Sequence, residues 1–402
     1  MRRTAVLPLN TYRRNIFMET NCKKKPIYSS TSKIYSGNSE LNSIMSAVVF
    51  FFTILLFSGS TFAVDGVKWH PGHYFQLMAA AKTHHKYMMD GVYRDMANTP
   101  AIQGIQVRYY WGDLESSKGV YNFASIDKHL AEMAKRKKRL VILIQTKSIG
   151  KSETYVPSYL RSAEYDGGVF AYSGYGGNTF KGENIKLWNP LVRDRFIQLF
   201  RALGERYNTH AYFEGIGMSE TTPGDPLQPI TSAQSSGYFQ NLNQVLIGAK
   251  KAFPNTLVMQ SVNYPRSIIA PLVDTLKKIG GGLSHPDTYL EEMGLLMPGT
   301  KYTAPGVYTY YPKLAGIIPL APTVMHTNYR NTKSNGTGYE PTISQLNDFL
   351  KKDLKVNYIF WTRDPKYDSK ILEFLNWDEQ KNTVAGGLST NCPSTYTSCI
   401  TE

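Results

Sequence analysis

The stretch Ala211-Tyr-Phe-Glu-Gly-Ile-Gly-Met-Ser-Glu-Thr-Thr-Pro223 decides the fold. It is an apolar, glycine-containing run that stops at Ser219-Glu220 and breaks into Thr-Thr-Pro-Gly-Asp-Pro226. A strand covered on both faces carries no polar alternation, so the run reads as a buried parallel strand. Its last side chain, Glu220, is then an acid delivered to the open end of a barrel. Other segments of the chain should be strands of the same barrel.

Seven further runs fit. They are Val67 to Phe75, Ile102 to Trp111, Arg139 to Gln145, Thr256 to Asn263, Gly281 to Asp287, Ala321 to Asn328 and Val356 to Thr362. Between several of them lie amphipathic segments of helical period, at Ser125 to Arg136, Val192 to Tyr207, Ser235 to Ala252, Ile268 to Ile279 and Ile343 to Leu354. Strand and helix alternating eight times predicts a single (β/α)8 TIM barrel over residues 64 to 402. The first run is the weakest, since Pro71 interrupts it. After the third run, Thr146 to Leu187 is too long for an ordinary connection and is rich in tyrosine and glycine. It reads either as one wall of a binding groove or as a glycine-rich flap.

Composition is that of a globular protein, 42% hydrophobic and 19% charged, with 28 tyrosines that suit ligands part apolar and part hydroxylated. The formal charge is +14, of which residues 1 to 63 supply +6 through eight Lys and Arg against two acids. The remaining excess is spread along the chain with no nucleic-acid motif, so no nucleic-acid partner is expected. A mildly basic surface also fits an acidic polymer.

Residues 1 to 43 are polar and basic, and Ile44 to Phe57 is an apolar run followed by Ser-Gly-Ser-Thr-Phe-Ala63. The run is short for a spanning helix and ends in small residues, so residues 1 to 63 read as an N-terminal extension and signal peptide cut after Ala63. Export to the periplasm or medium follows, with no membrane attachment after cleavage; an uncleaved anchor over residues 44 to 63 is the alternative. Cys392 and Cys399 then form the remaining pair and predict a local disulfide pinning the tail. No His/Cys cluster has metal-ligand spacing, so neither metal nor other cofactor is expected.

The carboxyl ends of the eight runs carry His70 and His73, Arg108 with Tyr110 and Trp111, Gln145, Glu220, Asn263 with Tyr264, His285 with Asp287, His326 with Asn328, and Trp361 with Arg363 and Asp364. Polar and aromatic side chains converging on one rim describe a binding face. The segment Gly104-Ile-Gln-Val-Arg-Tyr-Tyr-Trp-Gly-Asp-Leu-Glu-Ser-Ser-Lys-Gly-Val-Tyr-Asn-Phe-Ala-Ser-Ile-Asp127 resembles the second-strand region of the large clan of (β/α)8 glycoside hydrolases. With Glu220 and Trp361 the likeness extends loosely from about Val67 to Trp377. The resemblance implies that Glu220 is the general acid/base, that Trp361 is the platform under the sugar, and that Arg108 helps hold the second carboxylate.

The chain departs from that pattern twice. Ser219 stands where the clan usually has Asn before the acid/base, and the seventh run ends His326-Thr-Asn-Tyr-Arg330 without the usual Glu. Glycosidic cleavage needs two carboxyl groups. Asp287 is the preferred substitute, with Glu115, Glu291 and Asp364 as alternatives; Glu214, roughly 20 Å from Glu220 along a strand, belongs to the barrel floor. The sequence therefore predicts an exported glycoside hydrolase acting on a poly- or oligosaccharide. The alternatives are a non-catalytic carbohydrate-binding barrel and, further off, a barrel enzyme of another type such as a polysaccharide lyase.

Overall fold

Eight apolar strands that would each expose an unpaired edge remove the problem by closing on themselves. The computed structural model describes residues 66–80, 86–150 and 155–402. At its centre are β1 (Gly72–Ala80), β2 (Ile102–Tyr110), β3 (Arg139–Gln145), β4 (Phe213–Met218), β5 (Leu257–Ser261), β6 (Gly282–Ser284), β7 (Thr323–Val324) and β8 (Tyr358–Thr362). All pairings are parallel, β1 lies between β8 and β2, and a bridge from Leu283 to Leu320 joins the β6 and β7 sides. The predicted (β/α)8 barrel is the observed fold.

The surrounding helices are α1 (Lys86–Ala97), α2 (Ala124–Lys135), α3 (Pro190–Tyr207), α4 (Ser232–Ala252), α5 (Ile269–Ile279), α6 (Ile343–Asp348) and α7 (Asp368–Leu375). Their starts are written locally. Asn189 accepts from the Leu191 amide ahead of Pro190, and Thr231 with Gln234 and Thr342 with Gln345 form capping boxes. Between β6 and β7 the chain makes only short turns, among them Tyr311–Leu314.

Two local features set which side chains reach the interior. The first predicted run divides at Pro71: Val67–Lys68 pairs with Cys399–Ile400, and the barrel strand begins at Gly72 and runs on to Ala80. Proline cannot donate to the ladder, so it ends one pairing and precedes the next. In β4, Leu140 pairs with Phe213 and Val141 with Gly215, which leaves Glu214 as an extra, bulged residue. Glu214 is fully buried at the floor, accepting from the His70 amide (2.8 Å), His70 Nδ1 (2.7 Å) and the Tyr358 hydroxyl (2.8 Å). Beyond the bulge Gly217 leaves the space that Met259 of β5 occupies, since a Cβ there would stand 2.9 Å from Met259 Cγ.

The tail seals the same floor. A Cys392–Cys399 disulfide closes a seven-residue separation, and Tyr396 and Tyr358 meet Trp69 edge-on at 6.0 and 5.4 Å. Replacing both cysteines with serine is expected to destabilise the fold by about 2 kcal/mol through the loop entropy released in the unfolded chain. Chemical denaturation of the variant would read that loss, and an unchanged midpoint would count against it.

Among the described residues no helix is long and apolar enough to cross a membrane. The leader and anchor readings concern residues 1 to 63 and lie outside the described residues.

Candidate active site

The described part of the long segment after β3 forms a wall. Val169–Ser173 and Phe180–Ile185 form a hairpin, and Asp225–Pro226 from the loop after β4 adds to it as a third antiparallel strand. This small sheet stands over the carboxyl end of the barrel and encloses a cleft of ≈ 560 Å³. From the hairpin the cleft takes Tyr172, Tyr175 and Lys181, and from the barrel rim Gln76, Arg108, Gln145, Lys147, Glu220, Asn263, Tyr264 and Asp287.

Glu220 sits two residues past β4 with both oxygens engaged. Lys147 Nζ lies 3.0 Å from Oε1, and Asn263 Nδ2 donates to Oε2 at 2.7 Å. Asn263 is itself oriented, because its Oδ1 accepts from the Thr222 amide (3.1 Å) and hydroxyl (2.7 Å), leaving only the NH2 to face Glu220. Lys147 also donates to the Thr222 carbonyl (2.9 Å) and lies 4.8 Å from the centre of the Tyr172 ring. The charge on Glu220 is thus matched and its direction set.

Asp287, after β6, is in the opposite condition. Burial first, and then the nearby Glu220 charge, push its carboxyl up to about 7, against a smaller lowering by Asn328. Its backbone is held from behind: His285 Nδ1 accepts from the Asp287 amide (3.0 Å) and Tyr308 donates to the Asp287 carbonyl (2.9 Å). His285 is fully buried, which lowers its imidazole to about 3 and keeps it neutral.

The other acids considered for the second carboxyl are engaged elsewhere. Glu115 is buried, pairs with Arg195, and accepts from Trp111 Nε1 (2.7 Å), the Gly119 amide (2.8 Å) and Tyr159 (3.0 Å). Glu291 accepts from the Thr332 hydroxyl, and Asp364 pairs with Arg330 at 3.0 Å. Among the described residues, Asp287 is the acid that shares the cleft with Glu220.

Of the predicted binding residues, Arg108, Gln145, Asn263 and Tyr264 line the cleft. Tyr110 packs edge-on against Tyr155 at 4.9 Å, and Trp111 is buried, stacked on Phe196 of α3 at 4.8 Å. His326 follows β7 outside the lining. Trp361 is fully buried and points away from the interior, its Nε1 donating to His73 Nδ1 at 3.0 Å. Alternation along β8 is the reason: Thr362 faces inward to Gln76 (2.6 Å), so its neighbour Trp361 must face the helix layer. The sugar platform implied for Trp361 and the rim positions read for His70 and His73 do not arise. Lys147, Tyr172, Tyr175, Lys181 and Gln76 join the cleft beyond the strand-end residues expected from the sequence; Lys147 stands two residues beyond Gln145, and Tyr172, Tyr175 and Lys181 belong to the insertion after β3.

Among the described residues no group of three or more His, Cys, Asp or Glu is placed to hold a metal. This chain shares its closed parallel (β/α)8 barrel fold with solved structures. It is similar to the catalytic domain of beta-amylase from Paenibacillus polymyxa (TM-score 0.52, 11% identity, covering 76% of this chain and 95% of that one). It is likewise similar to beta-galactosidase from the psychrophilic Marinomonas ef1 (TM-score 0.51, 10% identity), covering 72% of this chain but only 53% of that one. No protein-family model and no curated protein sequence matches the chain.

Proposed function

We propose that the protein is an exported glycoside hydrolase that cleaves a poly- or oligosaccharide with Glu220 and Asp287 as its paired carboxyl groups. The observation that carries this reading is their electrostatic contrast within one cleft. A carboxyl raised to about 7 still holds a proton near neutrality, whereas Glu220 accepts from Lys147 and Asn263. The division of labour follows. Asp287 gives its proton to the glycosidic oxygen as the bond to the anomeric carbon breaks. Glu220 either adds to that carbon or takes a proton from the water that does, and the sum is addition of one water across the bond. This reverses the role that the resemblance implies for Glu220.

A second reading, a carbohydrate-binding barrel without turnover, draws on the segment after β7, where Met325 and His326 stand in place of an acid. The two are separated by incubating the protein with a panel of poly- and oligosaccharides and following new reducing ends. Hydrolysis is expected, with Glu220→Gln abolishing product while glycan binding persists. Undiminished turnover in that variant would remove Glu220 from the mechanism, and binding without product in the unaltered protein would favour the second reading.

A further inference from the structure

The cleft holds more positive charge than its own acids neutralise. Of its cations, Lys147 is matched by Glu220. Arg108 forms no ion pair among the described residues; its Nε is shut off from solvent without a hydrogen-bond partner, and its Nη2 meets only the Met78 sulfur at 3.3 Å. Half-buried, and acted on by Glu220 only through space rather than through a salt bridge, this guanidinium is incompletely compensated, and an incoming anion would offset the remaining cost. Lys181, on the hairpin opposite, is exposed and likewise has no ion pair or hydrogen bond through its ammonium among the described residues.

The remaining acid does not balance them. Asp287, raised to about 7, is only partly charged near neutrality. The walls around these cations are aromatic: Tyr175 is fully exposed, and Tyr172 and Tyr264 line the same space. Flat rings with hydroxyl tips suit sugar faces, and cations between them suit sugar substituents that carry charge.

From this geometry we infer that the cleft takes an acidic glycan, whose carboxylate or sulfate oxygens are received by Arg108 and Lys181 while its rings lie against Tyr172, Tyr175 and Tyr264. The inference rests on the glycan-cleft reading above and adds the chemical class of the ligand. Arg108 thereby becomes a specificity-determining residue. The carboxylate and sulfate forms share the chemistry that Arg108 recognises, and separate probes distinguish them.

The test uses the full chain carrying Glu220→Gln, titrated calorimetrically with an oligogalacturonide, a sulfated galactan oligosaccharide and a neutral gluco-oligosaccharide of equal length. At least one charged oligosaccharide is expected to bind at least tenfold more tightly than the neutral one and to weaken as salt is raised. Adding Arg108→Gln should reduce the charged ligand's affinity by about 10- to 100-fold more than the neutral ligand's. Lys181→Gln, on an exposed strand, should act in the same sense and keeps the test valid if the Arg108 variant does not fold. Equal affinity for neutral and charged ligands, or no binding of either charged one, overturns the inference. Cleavage of neutral glycans by the unaltered protein in that case leaves the hydrolase reading standing. Tight charged binding by the variant, with no product from the same oligosaccharide when the unaltered protein is incubated with it, would uphold the ligand class and overturn the hydrolase.

Discussion

Asp287→Asn is expected to lower kcat/KM on glycans with poor leaving groups by about 10²- to 10⁴-fold, the contribution of a positioned general acid. With an activated aryl glycoside the bond breaks without protonation, so the same variant should lose far less, while Glu220→Gln loses activity on both. The pH profile gives the second readout. Under the proposed mechanism Asp287 acts in its protonated form, so with its carboxyl raised to about 7, kcat/KM should fall on the alkaline side with a midpoint near 7. Asp287→Asn should remove that limb. A limb that survives the substitution, or a leaving-group pattern with the two residues exchanged, would return the acid's role to Glu220.

The same shift has a stability sign. Asp287 prefers its proton more in the folded chain, at about 7, than in the unfolded one, at 3.8, so the folded state binds more protons between those values and stability falls as pH rises through that window. Asp287→Asn should therefore stabilise the protein above pH 7, by on the order of 2–4 kcal/mol as an upper range. A gain in stability together with a loss of turnover is the pattern of a functional group held at a cost.

The largest loss of stability is expected from Glu214→Ala. The carboxylate is fully buried and holds the His70 amide, the His70 ring and the Tyr358 hydroxyl together beneath the barrel. Removing it leaves these donors without a partner and should cost about 3–5 kcal/mol. Glu214→Gln, which keeps an acceptor, should cost less. Burial alone would raise the Glu214 carboxyl, but its bonds to His70 and Tyr358 outweigh burial and hold it below its usual 4.5. A depressed acid contributes its stability above the unfolded value and loses it as pH falls through the folded one, so this share should vanish under acid conditions below about pH 4.5. Urea unfolding across pH reads both effects. A loss under about 1 kcal/mol would mean that water replaces the missing carboxylate.

What could be read in the chain were features carried by local chemistry. Apolar runs, helical periods and the end of β4 at Glu220 belong to segments of about ten to twenty residues, and each specifies its element without the rest of the chain. The cysteine spacing named the disulfide in the same way, and the length of the insertion after β3 marked it as either a groove wall or a flap, a choice that the strand pairing of its hairpin made. The face each strand turns inward was not local. A shift of one residue exchanges interior and exterior, and that shift depends on which neighbour a strand pairs with and where Pro71 and the bulge at Glu214 fall. For this reason His70 moved to the floor, and His73 and Trp361 moved into the helix layer.

The site divides along the same line. Glu220, Asp287, Arg108 and Asn263 were legible as polar residues ending strands. The contrast between the two carboxyls was not, because it arises from Lys147 crossing to Glu220 over 73 positions of sequence and from the desolvation of Asp287 together with the Glu220 charge across the cleft. Sequence by itself determined a barrel and the end of it that carries polar groups, since periodicity and strand endings are properties of short segments. Tertiary structure alone decided which of those groups share a cleft and which of them keeps its proton, since desolvation and charge pairing act through space.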